Sequence, residues 1–253
     1  MTYLYLFYGL FAGYMAGFLG IGCGVFLMPF FLMLDIPYKE AVNASLLSLF
    51  FSSLVSSTQH TKVLMTLREP ILVIGITVAI VAVISSSLLI HITSPVILTI
   101  AFAALMFLNA DFSVHTLRLK QIEKKLEDIN HLDYFSLYVI IGILVGLGAG
   151  LLGIGGGIII IPLLTYIAHF PVKDTVKLAI IIMVLSSFFG LVGGIVYDNV
   201  PWSIGLITSV GTVVGGFFGS ISLNFIRKSL IVKFNTVISI IVGVIMILRA
   251  ITY

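Results

Sequence analysis

The sequence predicts an all-α integral membrane protein of two inverted repeats, each with a glycine-broken re-entrant first segment plus three further helices. Three observations lead to this fold class: the composition, an internal repeat and the distribution of basic residues. Hydrophobic residues make up 60% of the 253 residues, charged residues make up 9%, and the mean hydropathy is +1.25. Because the surface of a water-soluble protein does not have such a composition, we expect the lipid bilayer to surround most of the chain.

The same pattern of residues occurs twice. Residues 9–31, GLFAGYMAGFLGIGCGVFLMPFF, match residues 142–164, GILVGLGAGLLGIGGGIIIIPLL, at a constant offset of 133. One inserted residue later, PYKEAV at 37–42 matches PVKDTV at 171–176. A hydrophobic segment that is interrupted by glycines and occurs in both halves of a chain is typical of membrane proteins made of two repeats.

Charged and proline-containing breaks divide the chain into eight hydrophobic segments. Most have the roughly 20 residues that a helix needs to cross the hydrocarbon core. The first and the fifth are longer than thirty residues, and each contains a glycine cluster, at 20–24 and 153–157. Each of these two is therefore either one long broken helix or a hairpin that turns back. The eight segments lie near 3–34, 41–59, 71–90, 95–110, 135–168, 176–197, 202–224 and 231–249.

The basic residues distinguish between these alternatives, because cytoplasmic loops carry most of the Lys and Arg residues of a membrane protein. If both long segments cross the membrane once, seven basic residues lie on one side and six on the other. If both turn back at their glycines, eleven share one side and only Lys39 and Arg249 lie opposite. The second arrangement gives each repeat an odd number of crossings. It predicts a multi-pass protein of the cell membrane with inverted halves and both termini outside.

This arrangement divides the chain into a first transmembrane repeat (1–110), a cytoplasmic amphipathic linker (111–134) and a second transmembrane repeat (135–253). Apolar residues recur at roughly helical spacing between the charges of the linker. This pattern predicts a helix that lies along the membrane surface. A solvated connector with no further role is the alternative.

Both glycine clusters have features of an anion site. A half-helix is predicted after each cluster, at 25–34 and 158–167, and its first backbone N–H groups have no acceptor within the helix. These groups and the positive end of the helix dipole favour an anion, and inverted symmetry would bring the two clusters together near the middle of the membrane. The alternative is that the glycines only allow close helix packing. The predicted substrate-binding residues here are Gly20, Gly22, Cys23, Gly24, Gly153, Gly155, Gly156 and Gly157.

A polar stripe on the second segment gives further candidates. Its serines recur at spacings of three and four, so they share one face of a helix. Their hydroxyl groups would line the path of an anion, or would instead bond the backbone of their own helix. The matching sixth segment keeps only Ser186 and Ser187, so we expect an asymmetric site. The predicted substrate-binding residues of the two segments are Asn43, Ser45, Ser48, Ser52 and Ser186.

The titratable residues argue against several other classes of site. All ten acidic residues fall in predicted loops or at segment ends, so no carboxylate is expected as a proton relay within the membrane. An enzyme would need a nucleophile with a base or paired acids in the interior, and we expect none. We also expect no cofactor and no metal, and a net charge of +3 is too small to indicate nucleic acid. The expected partners are a small anionic substrate and the lipid bilayer, and a homo-oligomer is left open.

The motifs GFLGIGCGVFLMPF and GLLGIGGGIIIIPLL, with AVNAS after the first, resemble the sulfite exporter TauE/SafE family of membrane permeases over nearly the whole chain. The resemblance implies export of a small sulfur-containing oxyanion, such as sulfite or an organosulfonate. The membrane potential would suffice to drive it, because each charge gains about 2.3 kcal/mol per 100 mV. A channel or an importer for another small anion is the alternative. The chain departs from the motif at Cys23, where glycine is usual, and at 177–179, where small polar residues are expected.

Overall fold

The computed structural model describes residues 2–60, 67–118, 134–197, 200–223 and 225–252. All regular elements within these ranges are helices. A 3₁₀ turn, Thr58–His60, extends the third helix, and a π-helical turn, Ser85–Leu89, extends the fourth as far as Ile90–Ile92. The helices in chain order are α1 (Thr2–Leu19), α2 (Gly24–Met33), α3 (Tyr38–Ser57), α4 (Arg68–Ile84), α5 (Pro95–Arg118), α6 (Phe135–Leu152), α7 (Gly157–Tyr166), α8 (Val172–Tyr197), α9 (Trp202–Leu223) and α10 (Lys228–Ile251).

Eight of the described helices are long and apolar enough to cross a membrane, which confirms the prediction of an all-α integral membrane protein. Each of the two long hydrophobic segments is divided into a span of 18 residues and a half-helix of 10 residues, α2 or α7. The first glycine turn, residues 20–23, and the second glycine turn, residues 153–156, connect them. Since a helix rises ~1.5 Å per residue, each half-helix is about half as long as the hydrocarbon core is thick.

Helix α5 continues past residue 110, where the sequence pattern placed the end of the first repeat, and ends at Arg118. The first eight residues of the predicted linker thus belong to a transmembrane helix. The end of an apolar run marks where a helix leaves the hydrocarbon, and the helix itself can continue into the polar region. The rest of the predicted linker, 119–133, lies outside the described residues.

Half-helix α2 runs back along α1. The ring of Phe30 stacks on Tyr8 with the centroids 3.9 Å apart, and Phe26 meets Phe11 at 5.8 Å. The Tyr8 hydroxyl also donates a hydrogen bond of 3.1 Å to the carbonyl oxygen of Phe26. Because the contacted residue on α1 falls as the residue number on α2 rises, the two helices are antiparallel. The first long segment is therefore a hairpin and not one broken helix.

The first span of each half packs in parallel against the third span of the other half through a row of glycines spaced by four. At each of these glycines, an added Cβ atom would come within 3.0 Å of an atom of the facing helix. Such close approach of backbones holds helices together in lipid, where the hydrophobic effect gives no driving force between them. The contacts are Gly9 with Thr208, Gly13 with Thr212 and Gly17 with Gly216 between α1 and α9, and Gly142 with Thr77, Gly146 with Val81 and Gly150 with Ser85 between α6 and α4.

Helices that correspond to each other in the two halves are antiparallel where they meet. The residue number falls on one helix of each pair as it rises on the other. Between α3 and α8 the contacts are Asn43 with Gly194, Leu46 with Gly190 and Phe50 with Phe188. Between α5 and α10 they are Phe107 with Gly243, Asn109 with Ser239 and Ser113 with Asn235.

Candidate functional site

The two glycine turns lie against each other in the interior of the protein. A Cβ atom at Gly24 would overlap with the carbonyl oxygen of Gly153, and one at Gly157 would overlap with the carbonyl oxygen of Gly20. Because Gly20 and Gly24 correspond to Gly153 and Gly157 in the repeat, these two contacts are equivalent. The N-terminal ends of both half-helices therefore meet at one place, and all eight predicted residues of the turns lie together there.

The two turns differ in backbone conformation at one position. Gly156 has a φ of +91°, a left-handed conformation that L side chains rarely adopt, whereas its counterpart Cys23 has a φ of −66°. At the preceding position both turns are left-handed, with φ +91° at Gly22 and +68° at its counterpart Gly155. The second turn therefore has one more left-handed residue than the first, and the cysteine is accommodated because the first turn has an ordinary right-handed conformation at its position. The site is asymmetric at this position.

Each turn has backbone N–H groups for which the described residues provide no acceptor. They belong to residues 21–24 in the first turn and 155–158 in the second. The N–H groups just before them are bonded, since Gly20 donates to the carbonyl oxygen of Ala16 at 2.7 Å and Gly153 donates to that of Ala149 at 3.0 Å. Unbonded N–H groups are costly at membrane depth, and at a helix N-terminus a small anion satisfies them well.

Two serine hydroxyl groups hold the second turn from either side. Ser45 of α3 donates to the carbonyl oxygen of Gly153 at 2.8 Å, and Ser186 of α8 donates to that of Gly155 at 2.7 Å. Both predicted residues thus reach the turn. In this conformation their protons are directed to carbonyl oxygens, so an anion that used these hydroxyl groups would have to replace the carbonyls as acceptor.

The other predicted residues of the polar stripe face neighbouring helices and do not touch the turns. Ser48 donates to the carbonyl oxygen of Gly205 at 3.2 Å, and Ser52 donates to that of Thr212 at 2.9 Å, both on α9. Asn43 is 2% exposed, and its Nδ2 has no partner among the described residues. The hydroxyl groups of Ser48 and Ser52 thus link α3 to α9 and do not bond their own helix.

A small cavity beside the first turn includes three residues that were not predicted as site residues. Ser53, Ser56 and Met183 line it together with Gly22 and Ser52. Its volume is about 10 Å³, room for one water molecule at most. Ser56 continues the polar stripe, whereas Met183 has no polar signal in the sequence and is found only through its position against the turn. The cavity beside the first turn therefore has no room for an oxyanion in this conformation.

The donors around the turns are neutral amide and hydroxyl groups. Within the described residues, no three His, Cys, Asp or Glu side chains are grouped so that they could hold a metal ion. Neutral amide and hydroxyl groups can bind an anion by hydrogen bonds without a fixed positive charge.

A comparison with known proteins identifies the family of the chain. A family model described as sulfite exporter TauE/SafE matches residues 5–246, which include both turns and nearly all of both halves. The chain belongs to this family. Membership in the TauE/SafE family makes it a membrane transporter, as the resemblance of its motifs indicated.

Three relatives are named as probable membrane transporter proteins. One from Methanocaldococcus jannaschii is 30% identical over 193 residues, which are 73% of this chain and 68% of the relative. YunE of Bacillus subtilis is 31% identical over 108 residues, 43% of this chain and 40% of the relative. YdhB of the same organism is 30% identical over 95 residues, 38% of this chain and 39% of the relative. No solved structure matches the chain.

Proposed function

We propose that this transporter exports a small sulfur-containing oxyanion of the sulfite or organosulfonate class across the cell membrane. The observation that carries the proposal is the meeting of two half-helix N-termini with unbonded N–H groups on both turns. Sulfite and sulfonate groups present several oxygen acceptors on one small centre, which suits donors that converge from opposite sides. The description of the family as sulfite exporters supports the same class of substrate.

The transport mechanism that we propose is alternating access by two inverted repeats, with both termini outside. The antiparallel packing of α3 with α8, and of α5 with α10, supports it, because corresponding helices of inverted repeats run in opposite directions. The glycine contacts support it too, because the first span of each half packs against the third span of the other half, α1 against α9 and α6 against α4. The anion would bind where the repeats meet, and rocking of one half against the other would open the site to each side in turn.

The hydroxyl groups of Ser45 and Ser186 take a defined part in this cycle. They bond the carbonyl oxygens of the second turn while the site is closed. We propose that these hydroxyl groups rotate and donate to the anion when it binds. They would then contact the turn directly when the site is empty, and through the substrate when it is occupied. This exchange would link the presence of substrate to a change in the contact between the halves.

The membrane potential is the driving force that we propose. None of the acidic side chains in the described ranges is buried, so none of them is placed as a proton relay within the membrane. Outward movement of one negative charge through 100 mV gains about 2.3 kcal/mol, which is a concentration ratio of roughly fiftyfold. Export along this gradient requires no second ion.

Flux measurements in liposomes test this proposal. The purified protein would be given sulfite, thiosulfate, methanesulfonate or chloride under an imposed potential and without a pH gradient. We expect saturable flux of the sulfur anions and little flux of chloride. Flux only after a proton or sodium gradient is added would refute the proposed driving force, and equal non-saturating flux of all four anions would indicate a channel.

A further inference from the structure

An open basic pocket lies where α8 and α10 begin, at the end of the protein that the proposed orientation places on the cytoplasmic side. It has a volume of about 640 Å³ and contains three basic side chains, Lys173, Lys177 and Arg227, and one acidic side chain, Asp174. Lys177 pairs with Asp174 at 2.9 Å on the same helix. Among the described residues that line the pocket, three side chains are thus basic and one is acidic. The first turn of α8, which begins at Val172, also lines it and adds the positive end of a long helix.

The corresponding place in the other repeat is bridged. Lys173 corresponds to Lys39 at an offset of 134. The Nζ atom of Lys39 lies 2.6 Å from Nδ1 of His91, so the start of α3 is joined to the end of the fourth helix. In the second repeat, Phe225 and Arg227 follow the third span and line the open pocket together with Lys173.

We propose that the basic pocket is the vestibule in which the oxyanion substrate is collected from the cytoplasm before it moves to the glycine turns. This inference rests on the proposed function for its direction. An excess of positive charge in a recess raises the local concentration of anions, and the guanidinium group of Arg227 matches the geometry of an oxyanion. Helix α8 links the two places, since Lys177 precedes Ser186 by nine residues, about 14 Å along the helix.

A free oxyanion and the phosphate group of an anionic lipid share the chemistry that this pocket recognises. Phe225 is 84% exposed beside Arg227, so a lipid headgroup has to be considered as the source of the anion. The two sources differ in one respect that can be measured. Collection of substrate from water does not depend on the lipid charge, whereas a headgroup site is filled only when anionic lipid is present.

The test uses the full chain with Lys177→Gln and Arg227→Gln combined, and Lys233→Gln as the matched control. Lys233 is exposed on α10, as Arg227 is exposed at its start, but it does not line the pocket. In vesicles of neutral phosphatidylcholine at low ionic strength, we expect the double variant to raise the KM for sulfite about three- to tenfold with kcat within about twofold. The control variant should keep the wild-type KM, and the difference should shrink at high salt. Arg227→Lys should raise the KM for sulfite less than Arg227→Gln does.

A binding measurement keeps the vestibule testable apart from transport. Sulfite should raise the thermal midpoint of the purified wild-type protein and of Lys233→Gln, and the double variant should show a measurably smaller shift, because only binding at the glycine turns is left. Active wild-type protein with an unchanged KM and an unchanged shift in the double variant would overturn the vestibule. So would an effect of the double variant that occurs only in vesicles with phosphatidylglycerol, because it would assign the pocket to a lipid. If the wild type transports no sulfur anion, the proposed function fails, and the thermal shift alone then decides whether the pocket binds an oxyanion.

Discussion

Exchange of the residues at two corresponding positions, Cys23→Gly and Gly156→Cys, should have very different consequences in the two glycine turns. Cys23 has a φ of −66°, which glycine adopts without strain. Gly156 has a φ of +91°, and a Cβ atom there would overlap with the side chain of Val145. Cys23→Gly therefore removes the same atoms that Gly156→Cys adds at the equivalent position. Only Gly156→Cys conflicts with the backbone conformation.

The magnitude follows from these geometries. A side chain in a left-handed conformation costs about 1–2 kcal/mol, and overpacking of a tight interior costs about 1–3 kcal/mol, so Gly156→Cys should destabilise the protein by about 2–5 kcal/mol. Cys23→Gly removes a fully buried side chain and increases the entropy of the unfolded chain, so it should cost about 1–2 kcal/mol. For a chain of this size, each kcal/mol lowers the thermal midpoint by roughly 2–4 °C.

Thermal unfolding in mild detergent, followed by circular dichroism, measures the difference. The midpoint of Gly156→Cys should lie about 4–20 °C below that of the wild type, and that of Cys23→Gly about 2–8 °C below it, with Gly156→Cys the lower of the two. Equal midpoints for the two variants, or a lower one for Cys23→Gly, would show that the turns do not have the backbone conformations from which the difference was calculated.

Three further substitutions test other parts of the structure, each against a matched control. Gly13→Ala should destabilise the protein by about 1–3 kcal/mol, because its Cβ would overlap with the backbone at Thr212. The control Gly148→Ala should cost less than about 1 kcal/mol, because its Cβ would meet only isoleucine side chains, the nearest at 3.2 Å. Thermal midpoints measure the difference. Ser45→Ala should lower the thermal midpoint by the equivalent of about 0.5–1.5 kcal/mol, and it should also lower the rate of sulfite flux. The control Ser57→Ala should leave the flux unchanged, because the Ser57 hydroxyl bonds its own helix at Leu54. Asn235→Leu should cost about 1–3 kcal/mol because it leaves the amide of Asn109 without its 3.0 Å acceptor, and Thr236→Val, which loses only a bond within α10, should be nearly neutral by the same measurement.

The spans and the turns could be predicted from the sequence because each is governed by local physics. Hydrocarbon requires about 20 apolar residues per crossing, and a glycine cluster within such a run indicates where the chain turns. The hairpin of α1 and α2 was one of two alternatives until the positions of the basic residues were considered, and the stacking of Tyr8 on Phe30 agrees with the choice. Family membership could be predicted for the same reason, since it depends on the two motifs.

The partners of the polar side chains could not be predicted, because they depend on helices far away in the sequence. The spacing of the serines placed Ser45 and Ser48 on one face of a helix, but it did not show that one bonds a turn 108 residues away and the other bonds α9. Met183, which lies against the first turn, is apolar and therefore gave no signal in the sequence. The end of α5 was placed too early for another reason: Asp111 ends the apolar run but does not end the helix.

Sulfite flux through a variant with a filled turn tests the central claim most directly. Gly22→Leu places a side chain where the first turn would present its N–H groups to the anion. The Cβ atom of this side chain would lie 2.8 Å from the carbonyl oxygen of Ile154. Gly148→Ala serves as the control, and only protein that elutes as a single folded species is compared in liposomes under an imposed potential. We predict saturable flux for the wild type and the control and less than about a tenth of it for Gly22→Leu, equivalent to at least about 1.4 kcal/mol. Near-normal flux through folded Gly22→Leu would contradict the claim that the anion passes between the glycine turns.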